Sequence, residues 1–212
     1  MREKRCKNLI QGLVMGVTLL ISGLPLSWSA ILGEYQIMEN EPSLHKNGKV
    51  ILIEFADFYC PHCHMFDRVV GNKLQKEFGD KLEIRMIGFP VIPGKLPTVF
   101  EMYEQAKTMG KGQEMKQVLF SSIHEKDIHI FDKTMRSLVL KEVGLDAAEF
   151  ESGLASGQPF RALEKGKEWG ERIEVSHTPT VVLDGNIRIA NLTFDNLKSV
   201  IQSILDQDKK AS

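Results

Sequence analysis

The sequence predicts an α/β fold in which a βαβ unit and a ββα unit flank a long helical insertion, and three features predict it. The near-continuous apolar run Val50 to Phe58 has the length of a strand covered on both faces. From about residue 97 to residue 172 the apolar residues recur only at helical spacing. Beyond it, Thr180-Val181-Val182-Leu183 and Asn186-Ile187-Arg188-Ile189 flank Asp184-Gly185, a pair that tolerates the positive φ of a hairpin turn. With 212 residues, 42% hydrophobic and 26% charged, the chain can bury one core without disulfide staples, and one domain is the default.

Residues 1–29 read as an export signal outside the fold. Arg2, Lys4, Arg5 and Lys7 form a positive start, Leu9 to Leu26 is apolar, and Ser27 and Ser29 occupy the −3 and −1 positions of a cut before Ala30. An uncleaved anchor competes with this reading, because eighteen helical residues span roughly 27 Å, near the ~30 Å of a bilayer core. Either reading delivers the remainder across the membrane. Loss of residues 1–29 removes four basic residues and Glu3, leaving 23 basic against 27 acidic side chains. Without a basic stripe or a run of like charges, nucleic-acid binding has no support.

Residues 30–48 are polar, with Gly33, Pro42 and Gly48, and suggest an extended lead-in holding one short edge strand. The domain proper is expected over 49–212. After the first long strand, Met65, Phe66, Val69, Val70, Leu74 and Phe78 repeat at helical spacing, and Gly79-Asp80 closes that helix. Leu82, Ile84 and Met86 alternate as a second strand, completing a right-handed βαβ unit. Five helical stripes follow: Val99 to Ala106, Met115 to Leu119, Asp132 to Val143, a stretch capped by Asp146 with Glu149, and one carrying Phe160, Leu163 and Trp169. Thr193 can cap a last helix with Leu197, Val200, Ile201, Ile204 and Leu205 on one face. This order is a thioredoxin fold interrupted in its middle by a helical insertion.

The chemistry is carried by Cys60-Pro61-His62-Cys63, where the buried strand feeds a helix. Two cysteines so spaced can close a small disulfide at a helix N-terminus, and the only other one, Cys6, lies in the leader. Unpaired N–H groups and the helix dipole favour a thiolate at Cys60, and His62 adds a donor able to reach the same sulfur. Cys63, one turn further in, is expected to be less exposed. Glu54 interrupts an apolar strand, where an ionised carboxylate is costly unless paired, and Arg85 on the neighbouring strand is a candidate partner; a solvated edge position is the alternative.

Phe58-Tyr59-Cys60-Pro61-His62-Cys63, together with Ser176-His177-Thr178-Pro179-Thr180 before the hairpin and helices between, resembles the DsbA-like thiol-disulfide oxidoreductases of bacterial cell envelopes over roughly residues 49–206. The resemblance implies a dithiol oxidase that donates its Cys60–Cys63 disulfide to reduced, unfolded exported proteins and is reoxidised by a quinone-linked membrane protein, with no cofactor beyond the disulfide. It also implies a cis Thr178-Pro179 bond beside the dithiol, where a substrate strand pairs with the Thr178 backbone, and a role for Glu54 in moving protons at Cys63. Thr rather than Val before the proline leaves isomerase and reductase directions open, although residues 30–48 are short for the dimerisation segment of an isomerase.

Rival readings are weaker. Cys60-Pro61-His62-Cys63-His64 fits the c-type haem attachment pattern, but a haem protein needs a distal ligand and a pocket of helices, whereas here the motif follows a buried strand and a thioredoxin-type Pro loop comes later. Zinc needs two more ligands than this segment offers easily. A non-catalytic peptide-binding or chaperone module would leave the dithiol incidental. His45, His124, His129 and His177 read as surface or loop histidines, and the methionines of the insertion as core filling.

Overall fold

The computed structural model describes residues 30–92 and 98–211, so the expected leader, the apolar stretch 9–26 and Cys6 lie outside the described residues. Five strands form one mixed sheet in the order β1-β5-β4-β2-β3. Strand β2 (Val50–Ala56) is buried at every position, in keeping with a composition that is apolar except at Glu54. It pairs in parallel with β3 (Leu82–Gly88) and antiparallel with β4 (Thr180–Leu183). Strand β5 (Ile187–Ile189) returns through the Asp184-Gly185 turn, both of whose residues have positive φ, and β1 (Tyr35–Ile37) adds the expected short edge strand.

Strand β2 ends at Ala56, two residues before the apolar run does, because Asp57 turns the chain. The helix expected as one unit over 61–78 has three parts: α1 (Pro61–Met65), a π-helical segment Phe66–Gly71, and α2 (Asn72–Phe78). The insertion supplies five helices: α3 (Thr98–Thr108), α4 (Gly112–His124), α5 (Lys133–Val143), α6 (Ala147–Ala155) and α7 (Gln158–Arg172). Asp132 caps α5 through the Met135 N–H, and Asp146 caps α6 through the Glu149 N–H. The last helix, α8 (Phe194–Ala211), starts after Thr193, whose hydroxyl accepts from the Asn196 N–H at 3.4 Å.

Alternation along β2 divides the core. Val50 and Leu52 face α2 and α8, packing with Leu74, Leu197 and Ile201. Ile51, Ile53 and Phe55 face the opposite side, toward Phe89, Ile173 and Trp169. The insertion has its own core, and Ala56, Phe58, Cys60 and Cys63 belong to it. The Phe58 ring lies 5.4, 5.6 and 5.0 Å from those of Phe100, Tyr103 and Phe120. Thus the insertion packs directly on the loop that carries the dithiol.

Candidate active site

The loop between β2 and α1 is organised by Asp57, which is fully buried. Its Oδ1 accepts from the Tyr59 N–H at 2.8 Å, and its Oδ2 accepts from the N–H groups of Val91 and Ile92 at 2.8 and 3.0 Å. Its carbonyl accepts from the Cys60 N–H at 3.0 Å. Three donors compensate a charge that would otherwise be costly in the core. Two further bonds come from the insertion side: His124 Nε2 donates to the Phe58 carbonyl at 2.8 Å, and the Tyr59 hydroxyl donates to the His129 carbonyl at 3.3 Å.

Cys60 is the N-cap of α1, in extended conformation, with Pro61 in the first helical turn, where a missing N–H costs nothing. Its carbonyl accepts from the N–H groups of Cys63 and His64 at 3.1 and 3.2 Å. Both cysteines are free thiols, Cys60 7% exposed and Cys63 0%. The Cys60 sulfur donates to the Thr178 carbonyl at 3.4 Å, and the Thr178-Pro179 bond is cis. The chain therefore brings Cys60, Cys63, Thr178 and Pro179 together across about 118 residues of sequence separation. His62 is exposed in the first turn of α1, and the hydrogen bond at the Cys60 sulfur goes to Thr178 rather than to its ring.

Behind the dithiol lies a buried set of charges. Burial pushes the Cys63 thiol far up, and the negative charge of Glu54 adds to the effect. Glu54 is 1% exposed and its Oε1 has no hydrogen-bond partner, so burial raises its own pKa to about 8. Lys116 opposes this rise and Asp67 reinforces it. These two pair with each other, Lys116 reaching in from α4 and Asp67 from the π segment. Arg85 is not the partner of Glu54. In the β2–β3 register it stands opposite Ile53, so it projects from the other face of the sheet, and its guanidinium binds Glu83.

Two of the histidines expected on loops do structural work. His45 is clamped between Asp184 and Asp208, each at 2.8 Å, and His124 stacks on His64 with ring centroids 4.9 Å apart. Asp57 had a visible signal, a lone acid between Ala56 and Phe58; Lys116 and His124 had none, being ordinary polar positions of an amphipathic helix. Among the described residues no group of three or more His, Cys, Asp or Glu is arranged to hold a metal ion, and no helix is long and apolar enough to cross a membrane.

Comparison with known proteins bears on the fold and the family. Residues 45–203 match the family model described as Thioredoxin. A relative from Bacillus anthracis named probable disulfide bond formation protein D is 28% identical over 174 residues, covering 78% of each chain. The thiol:disulfide interchange protein DsbA of Pseudomonas aeruginosa is 23% identical over 156 residues, covering 73% of this chain and 72% of its own. Among solved structures, DsbA from Xylella fastidiosa superimposes with a TM-score of 0.64 at 18% identity, covering 84% of this chain and 96% of that one. Pseudomonas aeruginosa DsbA gives 0.63 at 20%, covering 84% and 94%.

Proposed function

We propose, from the premise that the chain belongs to the thioredoxin family, that it is a DsbA-like protein thiol-disulfide oxidoreductase working as an exported dithiol oxidase. The observation that carries this reading is the meeting of a helix-capping Cys60, 7% exposed, with a fully buried Cys63 beside cis Thr178-Pro179. A substrate thiolate attacks the Cys60 sulfur of the enzyme disulfide, a substrate–Cys60 bond forms, and Cys63 departs and takes up a proton. A second substrate thiolate then attacks the substrate sulfur, closing the substrate disulfide and releasing Cys60. Substrate loses two electrons and the Cys60–Cys63 pair gains them.

The buried surroundings support these roles. Cys63 sits where a proton is strongly favoured, which suits the sulfur that must leave and be protonated. Glu54, with a pKa of about 8, carries a proton at neutral pH and can pass it to Cys63. The Thr178 backbone and Pro179 offer an extended edge for a substrate strand. The proposed setting is the periplasm, with reduced exported proteins as clients, a quinone-linked membrane protein restoring the disulfide, and no cofactor.

The test is oxidation of a reduced, unfolded two-cysteine protein. Wild type in its disulfide form should oxidise it, Cys60→Ser should abolish the reaction, and Cys63→Ala, first loaded at Cys60 as a mixed disulfide with glutathione, should exchange glutathione for a single-cysteine substrate and hold it as a substrate–Cys60 disulfide. Full activity of Cys60→Ser would refute the dithiol reading. Faster repair of a scrambled substrate than oxidation of a reduced one would replace oxidase with isomerase.

A further inference from the structure

His124 ends α4 and grips the peptide two residues before Cys60, donating from Nε2 to the Phe58 carbonyl at 2.8 Å. Its ring lies nearly parallel to that of His64, 12° between planes and 4.9 Å between centroids, and His64 directly follows Cys63. Phe120 backs both rings, at 5.7 Å from His64 and 6.1 Å from His124. The stacked pair thus ties the insertion to the dithiol segment on both sides of Cys60 and Cys63. We infer that His124 is a positioning residue for the dithiol loop and that its stack with His64 makes this positioning depend on protons.

The inference rests on the dithiol-oxidase reading and adds a controlling element to it. A nitrogen donating to a carbonyl must bear hydrogen, so Nδ1 of His124 is where a further proton would go. The charged groups facing the pair come from four elements. Arg68 of the π segment and Glu125 after α4 lie 3.5 Å apart, and Glu125 is 3.6 Å from His64 Nε2. His129, held by Asp127 at 2.8 Å, stands beyond, and Asp57 lies in the dithiol loop. A proton on each would set two imidazolium rings face to face, with Glu125 the acid beside His64. Burial holds the His124 pKa down, and the charges of His64 and His129 lower it further, against the raising effect of the Phe58 bond. Once both rings are charged they repel, His124 leaves the Phe58 carbonyl, and the loop loses a tether just before the reactive sulfur.

The experiment measures the rate of oxidation of a reduced dithiol peptide from pH 7.5 to pH 5 by the full chain and its variants. His124→Gln keeps an amide donor for the Phe58 carbonyl but cannot be charged. Its rate relative to wild type should stay within about twofold at pH 7.5 and rise about tenfold toward pH 5, one unit of proton linkage. His64→Gln should show the same rise, and His124→Leu should be slower than wild type throughout. Ratios independent of pH would overturn the inference. A second measurement needs no variant: in reduced wild type, the two imidazoles should titrate by NMR as a coupled pair separated by at least about one unit, and independent titration would overturn it too. A wild type inactive at pH 7.5 would instead defeat the oxidase reading and leave the coupled titration to judge the stack.

Discussion

Glu54 keeps its proton at neutral pH because water cannot reach it and its Oε1 has no donor nearby. Its pKa rises from 4.5 to about 8, so between those values the native state holds a proton that the unfolded chain has lost. Stability therefore falls as pH rises through this window; the penalty is absent below pH 4.5, about 3 kcal/mol at pH 7, and complete above pH 8. Glu54→Gln removes the titration while keeping shape and polarity. Urea unfolding should find the variant more stable than wild type by about 3 kcal/mol at pH 7 and equal to it near pH 4.5, and a difference that does not change with pH would contradict the assignment. The same variant should protonate the departing Cys63 more slowly. An acid inside an apolar strand announces itself in the sequence, but the charges that tune it do not. Lys116 and Asp67 reach Glu54 from two other elements, and a single strand's pattern holds no record of either.

At the level of elements, helix α7 shows how close packing is written in small residues. Gly166 and Gly170 are one turn apart on the face turned to β3 and its end. A Cβ on Gly166 would come within 2.6 Å of Ile87 Cγ2, and one on Gly170 within 2.4 Å of the buried Phe89 ring. Replacing glycine by alanine in an exposed helix interior gains about 1 kcal/mol. Here the ring cannot retreat, since it also meets Phe55 edge-on at 5.8 Å. Gly170→Ala should therefore lower stability by a net ~1–2 kcal/mol, seen as a lower urea midpoint with unchanged slope, and a stabilised variant would show that α7 is free to shift. The helices of the insertion were legible because each buries one stripe, and β2 because it buries both faces. The π segment was not, since Phe66, Val70 and Leu74 fit an ordinary helix as well as the wider turn that Asp67 occupies. The dithiol and Pro179 were legible as motifs. The grip of Asp57 on Val91 and Ile92, and of His124 on Phe58, depends on which loops the finished fold brings together.

Over the whole molecule, two proton-holding sites lie at opposite ends of β2. Glu54 and the dithiol are at its C-terminal end. At its N-terminal end, His45 ties the lead-in to the hairpin and to α8: its Nδ1 meets Asp184 and its Nε2 meets Asp208. Asp184 also accepts from the Ile51 N–H at 2.7 Å, and Asp208 from the Gly48 N–H at 2.8 Å. Burial works against charge on His45, but its hydrogen bonds to Asp208 and Asp184 and their attraction outweigh it, so its pKa is raised. That stabilisation is fully present below about 6.5 and is lost as pH climbs through the raised value. Glu54 and His45 thus push in the same direction: folding takes up protons near neutrality. The opposite slope comes from Glu41, Glu83 and Glu151, whose partners Arg172, Arg85 and Arg136 hold them below the usual carboxylate range, so their contribution disappears as pH falls through those lowered values. Half-buried His124 also favours higher pH. The stability maximum should therefore lie on the acid side of neutrality, at about pH 5–6.5, with wild type less stable at pH 8 than at pH 6. His45→Gln should cost about 2 kcal/mol at pH 6 and progressively less as pH climbs through the raised His45 value, because only the charged ring donates to both carboxylates. Combined with Glu54→Gln it should flatten the curve between pH 6 and pH 8. The two sites are far enough apart for their effects to add, so a double variant retaining the full slope would mean that other groups take up the protons.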